Sequence, residues 1–318
     1  MSFLDRFLKR ADKPPEWASF FNSGEFARFI QVVDSEMARS KVAFRIDPAA
    51  GMIHAEEPGK ADGNTFGLLN VAQMCAQSPK IEWAHIVHEH FERLLKSRTE
   101  SESSMSAFQD SFELARPMLK LRLYPADSPA DPSVVYSPAE EMIAALVYDL
   151  PNTVMTVSKD HVSAWGIPRE DLFRIALDNV RSEPGIVQSS FDLPEGCKLH
   201  ALTGDSFFTA SRALLLEEHL PTPLPAFGAL VAMPNRHTVL FHPITDKCCR
   251  TALNAMLGMA QGLYKDGPGS ISSSIYWWRE AAWWHEGQFT RFPSTLVNNK
   301  INLEIPTEFT AQVLDKLT

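Results

Sequence analysis

No apolar run in this 318-residue chain approaches the roughly 20 residues that a membrane-crossing helix needs. A helical membrane anchor is therefore not expected. Basic residues are also too few and too dispersed to offset the acidic ones. Lys and Arg number 30 against 39 Asp and Glu, for a formal net charge of −9, and no dense Lys/Arg block creates a local exception. Nucleic acid is excluded as an expected partner on that ground. Cysteines number only four, Cys75, Cys197, Cys248 and Cys249, without C-x-x-C spacing. The adjacent pair is badly placed for an ordinary structural bridge, so all four read as reduced thiols in a cytoplasmic protein. G-x-S-x-G, G-x-x-x-x-G-K-[ST] and G-x-G-x-x-G are all missing, which removes the commonest hydrolase, phosphate-loop and dinucleotide signatures. Internal repeats are missing too.

What is present is ordinary globular composition, 45% hydrophobic and 22% charged. The leading stretch MSFLDRFLKRADKPPEW carries Asp5, Arg6, Lys9 and Arg10 where a secretion signal needs apolar residues. Phe3, Leu4, Phe7 and Leu8 form a short apolar face expected to pack on the domain rather than on a membrane. Helical spacing of Phe26, Phe29, Ile30 and Val33 predicts a helix over 23–37. KVAFRID and MIHAE around Pro48–Gly51 predict a hairpin. Further helices are expected over 66–76, 83–95, 159–165, 169–180, 206–219, 246–265 and 307–317. Strands are expected at MLKLRLY, MIAALVYDL, TVMTVS, CKLHALT, GALVAMP, HTVLFHP and Lys300–Ile305. Strict βαβ alternation is absent, so the fold class expected is α+β, with a mixed or largely antiparallel sheet packed with helices in two lobes. The proline-rich segment 125–138 places the lobe boundary: 1–125 for the N-terminal lobe and 126–318 for the C-terminal one.

Three stretches carry chemistry. In AHIVHEHFERLLK, His85, His88, Glu89 and Glu92 share a helical face. Glutamate stands at Glu92 where H-E-x-x-H requires histidine, and Glu89 and Glu92 each precede a base by four residues, which marks a solvated face. No metal and no cofactor are expected. In DSFFTASRALLLEEHL, a helix would bury Phe207, Phe208, Ser211, Leu214 and Leu215, with Arg212 inside the apolar arc. A guanidinium there needs a partner, and Asp149 at the end of an apolar strand is the leading one. The turn Asn235-Arg236, where asparagine tolerates positive φ, adds a cation beside His237, and Asn179 is a further polar residue in apolar surroundings. Arg212, Asn235, Arg236, Asp149 and Asn179 thus form the expected polar pocket. In YWWREAAWWHEG, a hairpin turning at 279–282 would pair Trp278 with Trp283 and Trp277 with Trp284. One pair would be core and the other outward, leaving Trp277 and Trp284 as a candidate aromatic surface.

The run VYDLPNTVMTVSKDHVSAWGIPREDLFRIALDNV, then DSFFTASRALLLEEHL, GALVAMPNRHTVLF and SISSSIYW, in that order, resembles the YtpQ-like family of uncharacterised bacterial proteins over roughly 118–280. The resemblance implies an α+β bacterial cytoplasmic protein and brings no catalytic residues with it. The function expected is a non-catalytic binding or interaction protein whose pocket favours an anionic small molecule or an acidic segment of a partner protein. A hydrolase or transferase using that pocket is the alternative.

Overall fold

The computed structural model describes residues 13–39, 43–55, 65–128, 131, 134–151, 153–279, 287–297 and 300–317, without side chains for 55, 65, 94–104 and 295–300. The proposed face of Phe3, Leu4, Phe7 and Leu8 lies outside the described residues, as do Trp283 and Trp284. The chain divides into two compact units, Met1–Glu100 and Ser101–Thr318. Both are α+β with antiparallel sheets, as expected.

In the first unit, helix α1 (Ser23–Met37) begins on a capping box, with the Asn22 side chain accepting from the Glu25 N–H and Glu25 reaching back. Its stripe Phe26, Phe29, Ile30 and Val33 is fully buried. The stripe packs in one core with Trp83 and Val87 of α3 (Trp83–Asp110), Val71 and Cys75 of α2 (Leu69–Ala76), and a sheet of β1 (Phe44–Asp47), β2 (Met52–Ala55) and β3 (Thr65–Gly67). His85, Glu89 and Glu92 are exposed, and His88 faces the Glu36 carboxylate at 3.5 Å. Among the described residues no group of His, Cys, Asp and Glu is placed to hold a metal ion, and no helix is long and apolar enough to cross a membrane.

The second unit starts before the expected boundary. Strand β4 (Leu119–Pro125) pairs along its whole length with β6 (Met142–Leu150), which also pairs with β5 (Val135–Ala139) and β7 (Thr153–Thr156). The proline-rich segment is thus a connection within one sheet, and a boundary at 125/126 would cut that sheet. Prolines disfavour regular structure but leave β5 possible, because Pro138 sits at a register irregularity between Tyr136 and Ala139. Helices α4 (Lys159–Trp165) and α5 (Arg169–Arg181) follow. Next come β8 (Val187–Asp192), β9 (Lys198–Thr203), a 3₁₀ run Ala210–His219, β10 (Ala229–Asn235), β11 (Thr238–Pro243), α6 (Cys248–Asp266), β12 (Ile275–Trp278) and β13 (Phe289–Phe292). The six strands form one antiparallel sheet in the order β13-β12-β10-β11-β9-β8, and β14 (Ser294–Val297) and β15 (Lys300–Leu303) form a separate pair.

Both faces of the central part of this sheet are buried. Val231, Met233, Val239, Phe241, Tyr276 and Trp278 join a core shared with β4, β6 and α5. Leu230, Ala232, Leu240, Ile275 and Trp277 join a second core with Ala252 and Met256 of α6 and with Phe309. The tryptophan hairpin therefore differs from expectation: Trp278 pairs with Phe289 and Trp277 with Thr290 across β12 and β13. Trp277 is no surface residue. It is 2% exposed, meets Phe309 edge-on at 5.2 Å and donates its Nε1–H to the Phe227 carbonyl at 2.8 Å.

Two cysteines also depart from the reduced state expected of them. Cys197 and Cys248 form a disulfide, since the chain just before β9 and the first residue of α6 come to a Cα separation of 5.4 Å despite lying 51 residues apart. Cys75 and Cys249 remain free and buried, and burial pushes the Cys75 thiol up to about 12.

Candidate functional site

The site is built on the turn between β10 and β11. Pro234 cannot donate to a ladder, and the pairing shifts register between Ala232 and Asn235. Asn235 then pairs with Thr238 around the two-residue turn Arg236-His237. Positive φ is not the role of Asn235, because among the described non-glycine residues only Glu195 adopts it. Instead its Oδ1 accepts from the His237 N–H at 3.0 Å, an Asx-type turn, and its Nδ2 donates to the Leu263 carbonyl at 2.9 Å. The Arg236 N–H donates to Gly269 O and its carbonyl accepts from the Ala210 N–H, each at 3.0 Å. The segment Gly267-Pro268-Gly269 closes over this turn at very short range. A Cβ on Gly267 would lie 2.1 Å from Asn235 Nδ2, and one on Gly269, at φ +71°, would lie 2.7 Å from Arg236 Cδ.

Arg236 is 9% exposed. Its guanidinium carbon stands 4.4 Å from the centre of the Phe207 ring, and its Nε–H donates to His237 Nε2 at 2.9 Å. His237 Nδ1 lies 3.0 Å from the Gly204 carbonyl, so these two contacts assign a neutral imidazole with its proton on Nδ1. Burial, then the charge of Arg236, holds that imidazole below the usual histidine range. A second guanidinium reaches the same ring from β4: Arg122 is 5.5 Å from the centre of Phe207 and 4.7 Å from that of Tyr124. The Arg122 Nε is buried without a hydrogen-bond partner among the described residues.

Neither arginine meets a carboxylate among the described residues, whereas Arg39, Arg174, Arg181, Arg279 and Arg291 all do. Burial, reinforced by the charge of Arg122, pulls Arg236 down to about 10. Aromatic faces offset part of such a cost, by about 0.5–2 kcal/mol per contact. Two neighbouring cations in a mostly desolvated setting still leave an excess positive field that an anion would neutralise.

The remaining residues of the expected pocket lie elsewhere in the electrostatics of the unit. Asp149 accepts from Lys120 Nζ at 2.6 Å rather than from Arg212. Lys120 also pairs with Glu183, which accepts from Ser206 Oγ at 2.6 Å. Burial lowers the Lys120 pKa, but hydrogen bonds to Asp149 and then Glu183 outweigh it and the net shift is upward. Arg212 is half-buried and, among the described residues, donates only to the Glu183 carbonyl, at 3.4 Å, with its Nε unpartnered there. Its charged neighbours are Glu218, Arg181 and Glu183. Asn179 Nδ2 donates to the Arg116 and Leu119 carbonyls at 2.8 Å each, tying α5 to the start of β4. Arg236 therefore belongs to a site with Arg122, Phe207, Tyr124 and His237, while Arg212, Asp149 and Asn179 serve separate structural contacts.

A second polar cluster lines a cleft of about 450 Å³ bordered by Asp127, Glu140 and Tyr264. Glu141 accepts from Ser274 Oγ at 2.7 Å and Ser272 Oγ at 3.2 Å, and pairs with Arg291. Ser272 Oγ lies 2.7 Å from Tyr276 OH. The Glu141 carboxylate is thus held by Arg291 and by two serine hydroxyls.

No family model matches the chain, and neither a curated protein nor a solved structure shows significant similarity to it.

Proposed function

We propose that this is a non-catalytic binding or interaction protein whose second unit takes an anionic small molecule, or an acidic segment of a partner protein, at Arg122 and Arg236. One observation carries the reading: Arg236, nine-tenths buried, has no carboxylate partner among the described residues and shares an aromatic ring with a half-buried second arginine, Arg122, that also lacks one there. Buried arginines that serve structure alone are normally paired within the protein. The binding reading is favoured over a hydrolase or transferase because both ring nitrogens of His237 are engaged, one by Gly204 and one by Arg236. The titratable group nearest the arginines thus has no lone pair free to take a substrate proton. Membership of a bacterial YtpQ-like family belongs to this proposal on the order of its motifs.

The test is a titration of the ¹⁵N-labelled protein with succinate, sulfate and phosphate at constant ionic strength. Shifts centred on Arg236, His237 and Gly269, lost in Arg122→Met, are expected. No shift there with any anion at millimolar concentration would overturn the reading. We also place the protein in the cytoplasm, and the Cys197–Cys248 bond is the observation opposed to that. Rapid thiol alkylation of intact cells decides it: a cytoplasmic protein should show this pair reduced, and full protection from alkylation would move the protein to an oxidising compartment.

A further inference from the structure

Resting on the anion-binding reading, we infer that the group received by Arg122 and Arg236 is a dianionic phosphate monoester. The first argument is charge. Two guanidiniums, neither compensated by a carboxylate among the described residues, converge on one ring, so a ligand that neutralises both through a single small group must carry nearly two negative charges. A phosphate monoester carries about −1.5 to −2 near pH 7 and offers three acceptor oxygens; a carboxylate carries one charge on two oxygens.

The second argument is the count and placement of donors. Arg236 uses its Nε on His237, which leaves its two terminal amino groups without a partner among the described residues. Because His237 is itself held by the Gly204 carbonyl, the Arg236 head is fixed at one corner and presents the opposite edge of its fork. Arg122 adds a buried Nε with no partner among the described residues. Two planar forks on different elements, one on β4 and one on the β10–β11 turn, match a tetrahedral group whose oxygens point in different directions. A carboxylate can bridge two forks only through lone pairs lying in its own plane, and it brings one charge to two guanidiniums.

The third argument concerns the rest of the ligand. Phe207 is 37% exposed although two cations lie over it, and Tyr124 beside it is half-buried. Exposed aromatic surface next to the phosphate position is a wall for the organic part of an ester, which inorganic phosphate lacks. Turn and loop are also preset: Gly267 and Gly269 allow backbone to press on Asn235 and on the Arg236 stem, so little side-chain freedom remains to be lost on binding.

The experiment is isothermal titration of the full chain with phenyl phosphate, inorganic phosphate, succinate and acetate at one ionic strength. Phenyl phosphate is expected to bind at least roughly tenfold more tightly than either carboxylate, and several-fold more tightly than inorganic phosphate. Arg122→Met and Arg236→Met should each weaken phenyl phosphate at least roughly tenfold. Arg122 is only half-buried, so its variant keeps the test informative if Arg236→Met fails to fold, and circular dichroism checks both. Succinate binding as tightly as phenyl phosphate would overturn the phosphate inference and leave the anion-binding reading standing. Inorganic phosphate binding equally well would overturn the ester assignment in favour of the free ion. No binding by any of the four would overturn both.

Discussion

Replacing Lys120 by methionine isolates the buried ion network that takes up Asp149. Lys120 is 9% exposed, its ammonium stands between Asp149 and Glu183, and it lies 4.6 Å from the centre of the Phe208 ring. Methionine keeps most of the stem against that ring and removes only the charge. Two carboxylates then face each other without a cation, one of them on a side chain only 12% exposed and supported by a single hydroxyl. Breaking a buried pair costs about 3–5 kcal/mol. The Asp149 side chain is 33% exposed, so water relieves part of the loss and the lower end applies, about 3 kcal/mol. For a unit of this size that is a fall in Tm of about 6–12 °C. The Lys120 pKa is raised in the folded state, so its contribution is fully present below the unfolded value near 10.5 and is lost only as pH rises through the folded one. The deficit of the variant should accordingly be full at pH 7. Urea unfolding followed by tryptophan fluorescence measures it, with Arg212→Ala as the comparison. Arg212 has one long bond to a carbonyl and should cost only about 1 kcal/mol. If Arg212→Ala proves the more damaging, or Lys120→Met costs under about 1 kcal/mol, the assignment of Asp149 to Lys120 is wrong.

Trp277→Ala and Trp278→Ala should each lose about 3–5 kcal/mol, since both rings are 2% exposed in separate cores; a mild loss at either, read by the same unfolding curves, would mean that one face of the sheet is open. Gly269→Ala should cost about 1–2 kcal/mol from its left-handed backbone alone and should also weaken phenyl phosphate by displacing the Arg236 stem; unchanged affinity in calorimetry would remove the loop from the site. Burial holds His161, His200, His219, His237 and His242 below the usual value of 6.5. The unfolded chain therefore binds more protons between the folded values and 6.5, and stability, full above 6.5, falls as pH drops through that window. The urea midpoint should be lower at pH 5.5 than at pH 7.5, and equal midpoints would contradict the burial of these rings.

Elements whose burial follows a simple period were legible from residues alone. The α1 stripe, the β1–β2 hairpin and the β10–β11 pair are where their patterns put them. β8 was not, because VQSSFD lies at the edge of its sheet with most residues exposed, so no apolar alternation is required of it. Over 206–219 the apolar spacing fits 3.6 residues per turn, whereas much of the segment winds as 3₁₀ at about 3.0; Phe207 turns outward and the arc that would enclose Arg212 is redrawn. In the site itself, Arg236 was visible as a turn residue. Arg122 was not: in LKLRLY it reads as one polar side chain of a half-exposed strand, and only the assembly of two sheets brings it to Phe207. The paired glycines of DGPGS were the overlooked signal, since backbone pressed against Asn235 and Arg236 needs both.

Strand β12 delivers consecutive side chains alternately to two different cores, Ile275 and Trp277 to one and Tyr276 and Trp278 to the other. A slip of one residue would therefore exchange the two loads: each tryptophan would arrive where the opposite cavity had been shaped for its neighbour, and the Trp277 indole N–H would lose the Phe227 carbonyl. The strand acts as a key cut on both edges, turning only in one position. Since β12 is hydrogen-bonded to β10, the strand that ends at Asn235, the same key sets how far along the sheet Arg236 is carried.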